Sequence, residues 1–214
     1  MKLKKIPALA VFPLLMTMLC SCSTDINSFS VDTKELYYKY RYASEGTSTE
    51  ITIDNKHMEF AEKCFDEINI AGAVLALPMN LSDLPLGLEF VSDDEPVQVY
   101  KGINISEGKL MFGEKTAAYA SVMYSVNESI SSGQIVSMEF HQSLIDTAMS
   151  VNIGGENAHM TAERAKELFG DSGYSDRVFY DLGDGRNIIL GYIDLGDSDD
   201  SNAFSVILNT MRII

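Results

Sequence analysis

The hydrophobic pattern divides the chain into an apolar run near its start, a polar stretch, and then short alternating segments to the end. Two of these segments share a form, Ile68-Asn-Ile-Ala-Gly72 and Val151-Asn-Ile-Gly-Gly155. Each alternates apolar and polar residues like a strand and stops at a glycine that can take positive φ. After the second comes Met160–Gly170, which reads as a short helix. Thr161 is a natural N-cap, Glu163 lies in the first turn, Ala165, Leu168 and Phe169 form one apolar face, and Gly170 suits the position past the end. So short a helix does not persist alone in water and must bury that face. After the first comes Leu77–Gly87, where Ser82 can cap a helix of one to two turns, Pro85 is tolerable in its first turn, and Gly87 ends it. Three strand-like runs follow each: Lys109–Phe112, Ala118–Val126 and Ile135–His141, then Arg177–Leu182, Asn187–Asp194 and Phe204–Ile213. Asp184-Gly185, between two of these runs, is a strong hairpin signal.

The order is the same in both halves: short strand, glycine, helix ending in glycine, three strands. It predicts an α+β fold of two tandem units, each a short helix packed on an antiparallel β-sheet. Residues 49–144 form the first unit and residues 145–214 the second.

What precedes the units concerns location. Lys2, Lys4 and Lys5 lead into Ile6–Leu19, an apolar stretch too short to span a bilayer comfortably. Leu19-Cys20-Ser21-Cys22 then looks like a bacterial lipobox, with residues 1–21 as signal peptide and Cys22 as the lipidated N-terminus. Lipidation there supplies two or more acyl chains at roughly 0.8 kcal/mol per buried methylene, and two chains suffice for stable attachment. Cys20 is the rival acceptor, but Leu19 before it fits poorly; an ordinary secretory peptide or a transmembrane anchor is the alternative. The expected location is the extracytoplasmic face of the cell membrane. Residues 22–48 form a tether and N-terminal extension. Within it Tyr38, Tyr40 and Tyr42 alternate, as one face of an added strand or as a contact surface for a partner.

Charge narrows the partners. The net charge of −15 becomes more negative once the signal lysines leave. Such a surface disfavours nucleic acid, whose phosphates need Lys and Arg, and disfavours adhesion to anionic lipid. Of the three cysteines, only Cys64 remains after processing and lipidation, so no disulfide forms within one chain. Met58, Ala61, Cys64 and Phe65 fall at helical spacing, which makes Cys64 a buried thiol rather than a nucleophile.

Several fragments imitate catalytic motifs. Gly170-Asp-Ser-Gly173 resembles the heart of a trypsin-type nucleophile motif, but it is the exit turn of a helix and lacks its partner segments. Gly196-Asp-Ser198 lacks the later aspartate and histidine of an esterase block. His57, His141 and His159 lie on different elements, and Asp194, Asp197, Asp199 and Asp200 lack the spacing of a calcium hand. The reading is no catalytic residue, no metal and no cofactor.

His159–Gly170 resembles the Gly-Met-Thr-x-x-Glu-Val-x-x-Leu-Leu-Gly signature of small bacterial lipoproteins of the SmpA/OmlA type, whose units are related to those of the β-lactamase inhibitor protein. Met160, Thr161, Leu168 and Gly170 match in place; His159, Arg164 and Ala165 depart from the pattern. The first copy is similar to the opening of tandem-repeat lipoproteins of Firmicutes type. The resemblance implies helix-on-sheet units whose sheet faces contact other proteins. His159 stands where the signature has glycine, either as an exposed variation or as a contact residue. The functional expectation is a lipid-anchored cell-envelope binding module without catalytic activity. It would present a sheet face or a hairpin loop to a protein or envelope polymer. Inhibition of a secreted hydrolase is the alternative, with Asp184 and Arg186 in the probing loop 183–186, and an enzyme with an unfamiliar site is the second alternative.

Overall fold

The computed structural model describes residues 48–93, 95–100, 102–141, 149–170, 177–194 and 202–210. Cys22, the three tyrosines and most of the acidic loop lie outside these residues. The described chain is α+β, with two α-helices and mainly antiparallel sheets. Helix α1 spans Asn55–Asp66 and α2 spans Ala162–Phe169. Asp54 caps α1 by accepting from the Lys56 and His57 amides, and Thr161 caps α2 by accepting from Arg164 N. Gly170 closes α2 at φ 101°, a conformation that suits glycine.

Ten strands form one large sheet. They are β1 (Ser48–Thr52), β4 (Met79–Asn80), β5 (Leu88–Ser92), β6 (Val97–Tyr100), β7 (Ile103–Phe112), β8 (Lys115–Ser125), β9 (Gln134–His141), β12 (Arg177–Asp181), β13 (Asn187–Asp194) and β14 (Asn202–Asn209). The order is β1-β12-β13-β14-β9-β8-β7-β5, with β4 beside β9 and β6 beside β7. Only the β1–β12 contact is parallel among these pairs. A second sheet has four short strands, β11 (Glu156–Asn157), β10 (Val151–Ile153), β2 (Ile68–Ile70) and β3 (Ala73–Leu75), in that order.

The halves are therefore joined three times, the first being β1 on β12. β9 pairs with β14 in the large sheet, and β2 pairs with β10 in the small one. The two echoing segments pair with each other, Ile68 opposite Ile153, Asn69 opposite Asn152 and Ile70 opposite Val151. Each then turns through two residues with positive φ, Ala71-Gly72 and Gly154-Gly155, the geometry of a tight type I′ hairpin.

The expected helix around Ser82 is a correction. Leu81–Asp83 is a single 3-10 turn without a buried residue, and Ser82 lies inside it rather than capping it. Ser82 instead donates to the Asp83 carboxylate, and Asn80 holds the preceding position. Pro85 lies beyond the turn rather than in it. The helix of the first half is α1, ahead of the echoing strand.

One hydrophobic core joins these parts. Ala61, Cys64 and Phe65 of α1, Ala165 and Phe169 of α2, and the four inward aliphatics of β2 and β10 share it with Met138, Phe140, Tyr180, Leu190 and Leu208 of the large sheet. Phe60 of α1 meets Phe169 with ring centroids 5.2 Å apart, and Phe169 meets Tyr180 at 6.0 Å. Tyr180 Oη donates to Gly170 O and ties the end of α2 to β12. Phe179, Ile189 and Ile207, which alternate with those core residues along β12, β13 and β14, make a separate buried cluster.

Candidate functional site

The small sheet positions the site. Its period of two sends Ile68, Ile70, Val151 and Ile153 into the core and leaves Asn69 and Asn152 half-buried on the opposite face. Backbone bonds from Ala71 N to Ser150 O (2.8 Å) and from Gly154 N to Glu67 O (2.9 Å) flank this pair. In an antiparallel ladder that spacing makes Asn69 and Asn152 a hydrogen-bonded pair, with Cα atoms about 5.5 Å apart.

The register extends the pair into a row. Asn157 of β11 stands opposite Asn152, and Val74 of β3 stands opposite Asn69. The outer face thus carries Asn157, Asn152, Asn69 and Val74 in line across all four strands. Asparagine is depleted in strands; two of the three serve the adjoining backbone, Asn69 by accepting from Gly72 N and Asn157 from His159 N, and the row they form is what the pairing adds. Val74 at the end of the row is 65% exposed, well beyond the other β3 residues.

Glu67, Asn69, Val74, Asn152 and Gly155 line a shallow dish of about 480 Å³ on this face. Its hydrogen-bonding capacity is partly committed. Asn69 Oδ1 accepts from Gly72 N at 3.0 Å, which leaves its Nδ2 hydrogens free. Asn152 Nδ2 donates to Ser150 Oγ at 3.2 Å, which leaves its Oδ1 free. Glu67 is exposed at the rim; among the described residues no cation is in ion-pair contact with it, and Lys63 acts on it only through space. The dish offers free donors, a free amide oxygen, a carboxylate and one aliphatic platform.

The residues singled out from sequence lie elsewhere. Arg186 does not probe outward: its guanidinium carbon stands 5.2 Å from the centre of the Phe65 ring, its side chain is only 18% exposed, and Nε donates to Asp184 Oδ2 at 2.8 Å. Asp184 Oδ1 also accepts from Arg186 N, so the loop holds itself closed. His159 is not an exposed variation. Both ring nitrogens are shut from solvent without a partner among the described residues, its neighbours Ala158 and Met160 are buried, and burial pushes its pKa down. Cys22, Tyr38, Tyr40 and Tyr42 lie outside the described residues.

Cys64 is buried and free. Burial raises its thiol pKa, helped by the negative charges of Glu156 and Glu67, which removes it as a nucleophile at neutral pH. Arg164 bridges Glu156 at 2.6 Å and Glu167 at 2.9 Å; it holds β11 against α2, and both bonds raise its pKa. Among the described residues no three of His, Cys, Asp and Glu are placed to hold a metal ion, and no helix is long and apolar enough to cross a membrane.

Sequence reasoning passed over the asparagine row. Its trace in the sequence is the shared Ile/Val-Asn-Ile segment, whose apolar positions and glycines signal a strand and turn while the asparagine alone signals no partner across the sheet. The chain matches no protein family, no curated protein and no solved structure with which it was compared.

Proposed function

We propose that the chain is a lipid-anchored binding module of the cell envelope, without catalytic activity, and that it binds through the outer face of its small sheet. The observation that carries this is the in-register row Asn157, Asn152, Asn69 and Val74 beside the exposed Glu67 carboxylate. A polar row on rigid strands keeps its geometry when a ligand arrives, which lowers the ordering cost of binding. The anchor at Cys22 belongs to the same reading, with residues 22–48 as the tether. Replacing Cys22 by Ser is expected to move the protein from the membrane fraction to the soluble one.

The finer organisation belongs here too: two related units, in the manner of SmpA/OmlA-type and β-lactamase inhibitor protein-like repeats, joined side by side. Support comes from the mutual pairing of the echoing strands and from the sheet order, in which β12-β13-β14 and β9-β8-β7 meet at their third strands. The 3-10 turn in place of the first short helix is the departure from strict repetition.

Hydrolase inhibition through loop 183–186 draws less support, because Arg186 stacks on Phe65 and its fork is engaged by Asp184. The test of the binding reading is a photo-crosslinking residue at position 74, compared on intact cells with one at Val126, also exposed. Adducts at 74 and not at 126, identified by mass spectrometry, are expected. No adduct at 74, or equal adducts at both, would overturn the reading.

A further inference from the structure

We infer that the dish on the small sheet is a carbohydrate site that takes neutral, hydroxyl-rich glycan; the inference rests on the binding reading above and names its ligand class. Charge excludes one set of ligands. Among the described lining residues Glu67 is the only charged one, and it is acidic, on a chain of net charge −15. Phosphate, sulfate and carboxylate groups are repelled from such a surface.

The free hydrogen-bonding groups select among the neutral ligands. Asn69 Nδ2 can only donate, while Asn152 Oδ1 and the Glu67 carboxylate can only accept. Both kinds stand within one dish, because the pairing sets Asn69 directly opposite Asn152 and Glu67 lies two residues before Asn69 on the same face. A hydroxyl both donates and accepts, so one vicinal diol satisfies an amide donor and an acceptor side by side. Val74 supplies the aliphatic surface on which the C–H face of a sugar ring can rest. An apolar peptide would find only Val74 to bury, and an extended one would pair with a strand edge, not with this face. The dish, at about 480 Å³ and open to solvent, has room for a mono- or disaccharide lying on its surface. With one aliphatic contact and no aromatic platform among the described lining residues, affinity is expected to be roughly millimolar per mono- or disaccharide.

The full chain in detergent, with side-chain amides observed by NMR, tests this against soluble neutral oligosaccharides of hexoses and N-acetylhexosamines, and against a uronic-acid oligosaccharide. A saturable shift of the Asn69 and Asn152 amide signals is expected with one or more neutral sugars and none with the acidic one. Asn69→Asp keeps the acceptor for Gly72 N but loses the free donor, and is expected to weaken binding roughly tenfold. Glu67→Gln touches an exposed side chain and tests the carboxylate without endangering the fold; it too is expected to weaken binding. No shift with any neutral sugar, or unchanged affinity in both variants, overturns the glycan assignment. In that case a protein adduct at position 74 would leave the binding module standing, whereas no adduct of any kind would remove both.

Discussion

At the residue scale the two hairpin turns give the sharpest expectations, because equivalent positions carry different residues. Gly154 has φ 57°, and a Cβ there would lie 3.0 Å from Phe60 Cε2 and 3.2 Å from Cys64 Sγ. Gly155 has φ 87° but open space around it. Gly154→Ala is therefore expected to cost about 2–3 kcal/mol, and Gly155→Ala only about 1 kcal/mol, in denaturant unfolding. Ala71 holds the corresponding first turn position at φ 50° with a side chain present. Ala71→Gly relieves that strain, offset in part by unfolded-state entropy, and should leave stability unchanged or raise it by up to about 1 kcal/mol.

His159 sets a pH dependence. Its pKa is lowered in the folded protein from the ordinary value of 6.5, because burial disfavours the charged ring. The unfolded state thus binds more protons below that value. The stability held by the neutral ring is fully present above pH 6.5 and is lost as pH falls below it. Melting temperature should fall between pH 7 and 5, and His159→Gln should flatten that part of the profile. An equal slope in the variant would place the effect elsewhere. Carboxylates held low by partners, such as Glu59 hydrogen-bonded to Lys63, act with the same sign but at lower pH.

At the element scale, α2 shows how much of a helix is decided locally. Its eight residues have a cap at each end and one apolar stripe, all legible in order along the chain. Thr161→Ala removes the bond to Arg164 N and should cost about 1 kcal/mol in thermal or denaturant unfolding. The predicted helix at Ser82 failed for a related reason. Leu77–Gly87 has a cap residue and a closing glycine, but Leu81 N bonds to Gly133 O, and Asn80 pairs with Gln134 in β9. Those contacts precede the cap; what stops the helix is Leu84, extended at φ −55° and ψ 130° as the residue before Pro85 is disposed to be. The hairpin at Asp184-Gly185 was readable from its turn chemistry; the inward turn of Arg186 was not, since it depends on Phe65 in a helix from the other half.

At the scale of the whole molecule, the halves are expected to depend on each other. β9 and β14 are central strands only together, and β2 and β10 complete one another. Residues 49–144 and 145–214 expressed separately should each lack cooperative unfolding. Co-expression should restore a complex with a single transition, because separation breaks three strand pairings and leaves the shared core open. A cooperative transition in either half alone would show that the pairings add to a unit already stable.

By itself the amino-acid order determined the α+β character, the second helix with its caps, most of the long strands (of β7, Ile103–Phe112, only the last four residues) and the two echoing segments. These depend on residues within a turn or a strand of each other, where periodicity and glycine placement act directly. Tertiary structure decided which strands became neighbours, that one sheet serves both halves, and that Asn69, Asn152 and Asn157 stand in a single row. Register between segments far apart in the chain is set by how their apolar faces fill a common core, and no local pattern carries that information.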